Sequence, residues 1–326
     1  MSGVWRRCRF WLDPVSRQLF VSANPQCRDG RPGLYRVSAE ALHGSGGTLA
    51  LTAAADLGKP HGIGLDVERR ELAVIDHAER DSDHQSIVRR FLIADDGSLT
   101  AAGTYGYVRN ANDVVADGAG GVYVTQNLEA TSILGQLWEL ARKETLGRVH
   151  RLPPAGDCAP GPTAAPKPAV VADDLSFANG ITRRDDHLYV AETRAARIAV
   201  FEGALAGNLR RVGHIALPGQ PDNLTLDPEG HRLLAALLPD PDSLMLALFR
   251  LRGEAGIPSA AVAVPLADAP PDALFGDPGG QVISGATVAV VADGLLVLGS
   301  VVAPTLAVCP LAPPAPPPPP VPPVSR

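Results

Sequence analysis

Hydrophobic and polar positions alternate along this chain in short bursts, and the bursts recur. Each opens with a polar residue, runs through an apolar stretch, breaks at a turn rich in Asp or Gly, and resumes as an alternating apolar strand. The clearest copies are HGIGLDVERRELAVIDH from His61, NDVVADGAGGVYVTQN from Asn112, NGITRRDDHLYVAE from Asn179 and DNLTLDPEGHRLLAALL from Asp222. Weaker copies, CRFWLDPVSRQLFVSA from Cys8 and SGATVAVVADGLLVLGS from Ser284, make six. Period-two alternation around a turn cluster predicts a β-hairpin, with Leu72, Val74, Val122, Val124, Leu188 and Val190 alternating inward and outward.

Between the hairpins lie further strand-like runs, SIVRRFLIADDGSLTAAG and ARIAVFEGALAGNLRRVGHIAL. A period therefore holds about four strands in roughly 40–50 residues, the size of one propeller blade. Six such units predict an all-β, six-bladed β-propeller as a single domain over residues 1–309. The innermost strands of a propeller share one axial channel, so polar openers far apart in sequence converge there. One segment breaks the β pattern: the apolar residues of Ile133 to Leu146 fit one face of a helix, either over the channel mouth or packed on the surface.

Composition narrows the class. Of 326 residues 45% are hydrophobic, enough for a core, and the formal net charge is −6. Nucleic-acid binding needs a clustered basic footprint, and here the arginine pairs are scattered. No apolar run reaches the ~18 residues of a membrane span, and the first residues, MSGVWRRCRFW, lack the apolar core of a signal peptide. PLAPPAPPPPPVPPVSR at the other end predicts an extended, disordered proline tail over residues 310–326, either inert or a ligand for a proline-reading partner.

The chain has four cysteines, Cys8, Cys27, Cys158 and Cys309, in no metal or redox spacing. A Cys8–Cys309 disulfide would tie the first blade to the last in an oxidising compartment; four unpaired thiols are the alternative.

Chemistry concentrates in the openers. Asn112, Asn179, Asp222 and Asn223 all present oxygen, and converging amide and carboxylate oxygens suit a hard cation such as calcium. Asn223 also opens an NLT glycosylation sequon, which a channel position makes a poor acceptor.

In order and spacing the chain resembles the paraoxonases, calcium-dependent arylesterases and lactonases built on a six-bladed propeller. PHGI at Pro60 to Ile63, VIDH ending at His77, ND at Asn112–Asp113, LSFANGI around Asn179, HLYVAE at His187 to Glu192, DN at Asp222–Asn223 and the closing ISGATVAVVADGLLVLGSVVAPTLAVCPL carry the likeness. The resemblance implies a catalytic calcium on Asn112, Asn179, Asp222 and Asn223. It implies a structural calcium on Asp113 and the backbone carbonyl of Ile63, and catalytic roles for His61, as the base that deprotonates water, and His77, which orients it. The substrate would be a small ester or lactone, and the family is secreted or lumenal.

Two departures stand out. The family opens its first blade with a Glu-Asp pair, where this chain has Cys8 and Arg9. Both calcium sites are then short of negative charge, and Arg9 would aim a cation at the channel. The family's further channel histidine is missing, with Leu238-Pro239-Asp240 in its place. The chain is therefore either shortened at its start or an intact, degenerate relative. Two other functions fit the same fold: a gluconolactonase-like sugar lactonase, which would not need the histidine pair, and a non-catalytic binding scaffold.

Overall fold

Each of the six repeats folds into one antiparallel sheet in the computed structural model, which describes residues 8–23, 32–44, 49–80, 85–142, 144–154, 167–248, 253, 255–267, 269–303 and 305–311. Blades 1 to 6 begin with the strands Cys8–Asp13, Pro60–Asp66, Ala111–Ala116, Ala178–Arg184, Gln220–Leu226 and Ala286–Ala292. Within each blade the strands are neighbours in chain order; five blades have four strands, and the sixth has three among the described residues. The initial strands also touch one another in ring order, 1 to 6 and back to 1, so they line the axis and the ring is closed.

Six of the apolar clusters lie between adjacent blades. Val114, Val122 and Val124 of blade 3 pack on Ala73, Ile75 and Val88 of blade 2. The alternate residues Val115, Tyr123 and Val149 pack on Ile181, Leu188 and Val190 of blade 4. The alternation read from sequence is therefore real, but inward and outward is the wrong description. Both faces of a blade are buried against its neighbours, which is why strand after strand is apolar at nearly every position.

Turns follow from the Asp-rich breaks. Asp117 accepts hydrogen bonds from the amides of Ala119 and Gly121, and Asp227 from those of His231 and Arg232. Each carboxylate also meets an arginine, Asp117 with Arg151 at 2.8 Å and Asp227 with Arg232 at 2.9 Å. All six first turns use a positive φ: Arg17, Arg70, Gly118 and Gly120, Asp185, Gly230, and Asp293 and Gly294.

The predicted helix runs as α1 over Ile133–Arg142, ending earlier than the apolar pattern suggests. It joins the second and third strands of blade 3, and α2, Pro241–Leu248, occupies the same connection in blade 5. Because strands alternate in direction, both helices lie at the end of the ring where the initial strands begin. Neither helix is long and apolar enough to cross a membrane.

Cys309 is a free thiol in the strand Ala307–Pro310, so the described residues show no Cys8–Cys309 closure. The Cys8 side chain, Cys27, Cys158 and residues 312–326 of the proline tail lie outside the described residues. Packing joins the ends of the ring instead: Phe10, Leu19 and Val21 of blade 1 cluster with Val288, Val290 and Val297 of blade 6. An ion pair, Arg17 to Asp293 at 2.5 Å, lies beside it.

Candidate active site

Four initial strands carry the same irregularity at the same place. The pairing register with the second strand slips by one residue between Pro60 and Ile63, between Ala111 and Val114, between Ala178 and Ile181, and between Pro221 and Leu224. A one-residue bulge leaves a residue unpaired and re-aims its side chain. The bulged segments contain His61, Asn112 and Asp113, Asn179, and Asp222 and Asn223. All the expected site residues on initial strands thus lie at one end of the ring, and Ile63 resumes the ladder opposite Val74.

Glycine permits the close approach of these segments. A Cβ on Gly62 would stand 2.6 Å from the Asn112 carbonyl oxygen and 2.7 Å from the Asp113 Cα. A Cβ on Gly180 would stand 2.5 Å from the Leu224 nitrogen and 2.7 Å from the Asp222 carbonyl oxygen. The first glycine of HGIG and the glycine of NGI are therefore steric requirements of the axis.

Hydroxyls that the sequence reading missed peg each segment to the next blade. Ser22 accepts from the Arg9 amide at 3.1 Å and donates to the His61 carbonyl at 2.6 Å. Thr125 accepts from the Asp113 amide at 3.0 Å and donates to the Asn179 carbonyl at 2.7 Å. Thr193 accepts from Asn179 Nδ2 at 3.1 Å and donates to the Pro221 carbonyl at 2.7 Å. Their shared signal is a hydroxyl at the end of the second strand, in VSA, VTQ and VAET.

The two histidines meet. His61 Nδ1 and His77 Nε2 share a hydrogen bond at 3.0 Å, and His77 Nδ1 lies 2.6 Å from Ser86 Oγ. Both rings are partly exposed while Ser86 is buried. Ser86, on Gln85–Ile93, is a third member that no motif singled out.

The oxygen donors divide into two sets. Asn112, Asn179 and Asp222 are buried and Asn223 is partly so. Asn223 donates from Nδ2 to the Thr287 carbonyl at 2.7 Å, and Asn179 Oδ1 has no partner among the described residues. Three amides and one carboxylate with a free buried oxygen among them fit a hard cation in kind, with a single formal negative charge.

Asp113 is different. Arg9 Nη2 donates to its Oδ2, which also accepts the Ile181 amide at 2.8 Å. Arg9 is 3% exposed and approaches the Leu224 carbonyl at 3.5 Å. Burial lowers the Arg9 pKa, and the charges of Asp113 and Asp222 oppose that shift. Burial likewise pushes the Asp113 carboxyl up, to about 6, against the pull of Arg9 and of the Ile181 and Val114 amides. A divalent ion about 4 Å from the guanidinium would be repelled by on the order of 8 kcal/mol at an effective dielectric constant of 20. The residues expected to hold a structural calcium, Asp113 and Ile63, therefore do not fit one.

A cavity of about 640 Å³ lined by Leu12, Asp13, Arg17, Glu229, Asp293 and Leu311 opens at the opposite, turn end of the ring. It touches none of the residues above.

Comparison with known proteins gives matches of three kinds. The family described as Arylesterase matches residues 47–311. Serum paraoxonase/lactonase 3 of Rattus norvegicus is 32% identical over 134 residues, 40% of this chain and 37% of that protein. Adipocyte plasma membrane-associated protein Hemomucin of Drosophila melanogaster is 46% identical over 65 residues, 19% of this chain and 11% of that one. The matches thus span well under half the length of these relatives. Among solved structures, a gluconolactonase of Xanthomonas campestris, XC5397, superposes with a TM-score of 0.53 at 18% identity, covering 95% of this chain and 87% of that one. At that identity the likeness speaks for the fold alone.

Proposed function

This chain belongs to the arylesterase family, and on that premise we propose that it hydrolyses a small carboxylic ester or lactone at the bulged end of the propeller. The observation that carries the reading is the meeting of His61 and His77 at the end of the ring where Asn112, Asn179, Asp222 and Asn223 gather. Those four residues would hold a calcium ion, which when bound supplies polarisation of the substrate carbonyl.

The hydrogen-bond chain supports one assignment of the basic atom. With Ser86 Oγ as acceptor, His77 carries its proton on Nδ1 and its Nε2 lone pair faces His61. His61 then carries its proton on Nδ1, and its Nε2 would take the proton from water. The water oxygen bonds to the carbonyl carbon, the carbon–oxygen bond to the leaving group breaks, and His61 returns the proton to the departing alkoxide or phenoxide. His77 and Ser86 are positioning residues in this scheme: they hold the tautomer and steady the imidazolium.

Phenyl acetate and a simple lactone, assayed with calcium and with excess chelator, test the proposal. His61→Gln should lower kcat at least ~100-fold, the usual scale of general base catalysis. Ser86→Ala should lower kcat with little change in KM and shift the acid limb of the pH profile. Lactone turnover that survives His61→Gln would favour the sugar lactonase chemistry. No turnover of either substrate by the wild type would leave the binding scaffold.

A further inference from the structure

Arg9 belongs to blade 1, the Asp113 carboxylate it meets belongs to blade 3, and the Leu224 carbonyl it approaches belongs to blade 5. In a ring of six these blades are alternate, none adjacent to another. A single planar group within reach of all three initial strands lies on the axis. The Ile181 amide, from blade 4, shares Asp113 Oδ2 with it, and the Arg9 amide is tied through Ser22 to His61 of blade 2. Four of the six initial strands therefore meet around one guanidinium and its carboxylate, and the fifth is tied to the backbone of Arg9.

We propose that the Arg9 guanidinium is the resident cation of this propeller's axis: it neutralises Asp113 and ties the initial strands together, in place of an inner metal ion. Arginine suits this place because its charge is delocalised and weakly hydrated; Nη2 makes both contacts, while Nε and Nη1 have no partner among the described residues. The side chain is held by its own backbone, so the inner tie does not depend on free calcium. The inference concerns the Asp113 site and stands apart from hydrolysis at the outer residues.

Two measurements on the full chain test it, and neither reads activity. Equilibrium dialysis against millimolar calcium, with metal counted by atomic emission, should find at most one ion per chain in the wild type and none in Asp222→Asn. A second ion in the wild type, or an ion that persists in Asp222→Asn, overturns the proposal. Thermal unfolding of Arg9→Gln, Asp113→Asn and the double variant gives the second test. Each single change should lower Tm by several degrees, with the double variant no lower than Arg9→Gln, because the cost lies in the unpaired partner. Additive losses would mean that the pair is not coupled. If Arg9→Gln fails to fold, the calcium count on the wild type still decides.

Discussion

His150 shows how a single side chain sets a pH limit here. It is buried on Gly147–Leu152, its Nε2 bonded to Gln126 Oε1 at 2.7 Å and its Nδ1 without a partner among the described residues. Burial first, and the charge of Arg148 second, lower its pKa from 6.5 to about 4. Between those values the unfolded chain takes up a proton that the folded chain refuses. Stability present above pH 6.5 is thus lost progressively as the pH falls towards 4, by on the order of 3 kcal/mol. Urea unfolding across that window should show this slope in the wild type and a shallower one in His150→Phe. Comparing the two isolates His150 from Asp113, whose raised pKa works in the opposite sense. Equal slopes would remove His150 as the cause. Legibility also varied from residue to residue. His61, His77 and the Asn and Asp openers stood out by repeat position, whereas Ser86, Ser22, Thr125 and Thr193 did not. A hydroxyl near a strand end is common, and only its partner in another blade gives it a role.

At the scale of the strand, the bulge is what turns a repeat into half of a site. It places the polar openers at one level of the ring, and the glycines beside His61 and Asn179 let the next strand approach. Gly180→Ala should therefore cost about 1–3 kcal/mol, since its Cβ would press on backbone atoms of Asp222 to Leu224 that cannot move independently. Gly213→Ala is the control: it sits exposed on Arg210–Ala216 with nothing within 4 Å of its Cβ, and should be neutral or slightly stabilising. Equal costs in chemical denaturation would mean that crowding at the axis is not what Gly180 relieves. The hairpins and their turns were legible from alternation and Asp-Gly chemistry. The bulges were not, because a single unpaired residue leaves the apolar alternation on either side almost unchanged. Helix α1 was legible in kind but not in extent: the apolar spacing continues to Leu146, while the helix ends at Arg142.

Over the whole molecule, closure rests on packing between blades 1 and 6. Phe10 is fully buried there, with its ring pressed so closely on Gly299 that a Cβ would fall 2.3 Å from it. Phe10→Ala should cost about 3–5 kcal/mol, and reduction of the protein with a thiol reagent should leave the urea midpoint unchanged. A loss under ~1 kcal/mol for Phe10→Ala, well below the range expected for such truncations, would place the closing energy elsewhere. Blades 3 and 5 carry helices α1 and α2 at the site end.

The sequence by itself determined the number of blades, the hairpin in each, and the set of polar residues brought to one end. These follow from local periodicity and turn chemistry repeated six times, which need no knowledge of the partner across an interface. Only the tertiary structure decided what those residues do to one another. Arg9 and Asp113 are 104 positions apart, and pairing across the axis depends on ring closure, on side-chain length and on the burial of both side chains. None of these is a property of the residues nearby in the chain. The same physics separates the histidine pair, suggested by motif, from the Ser86 hydroxyl that meets it: a hydrogen bond between neighbouring strands exists only once their register is set.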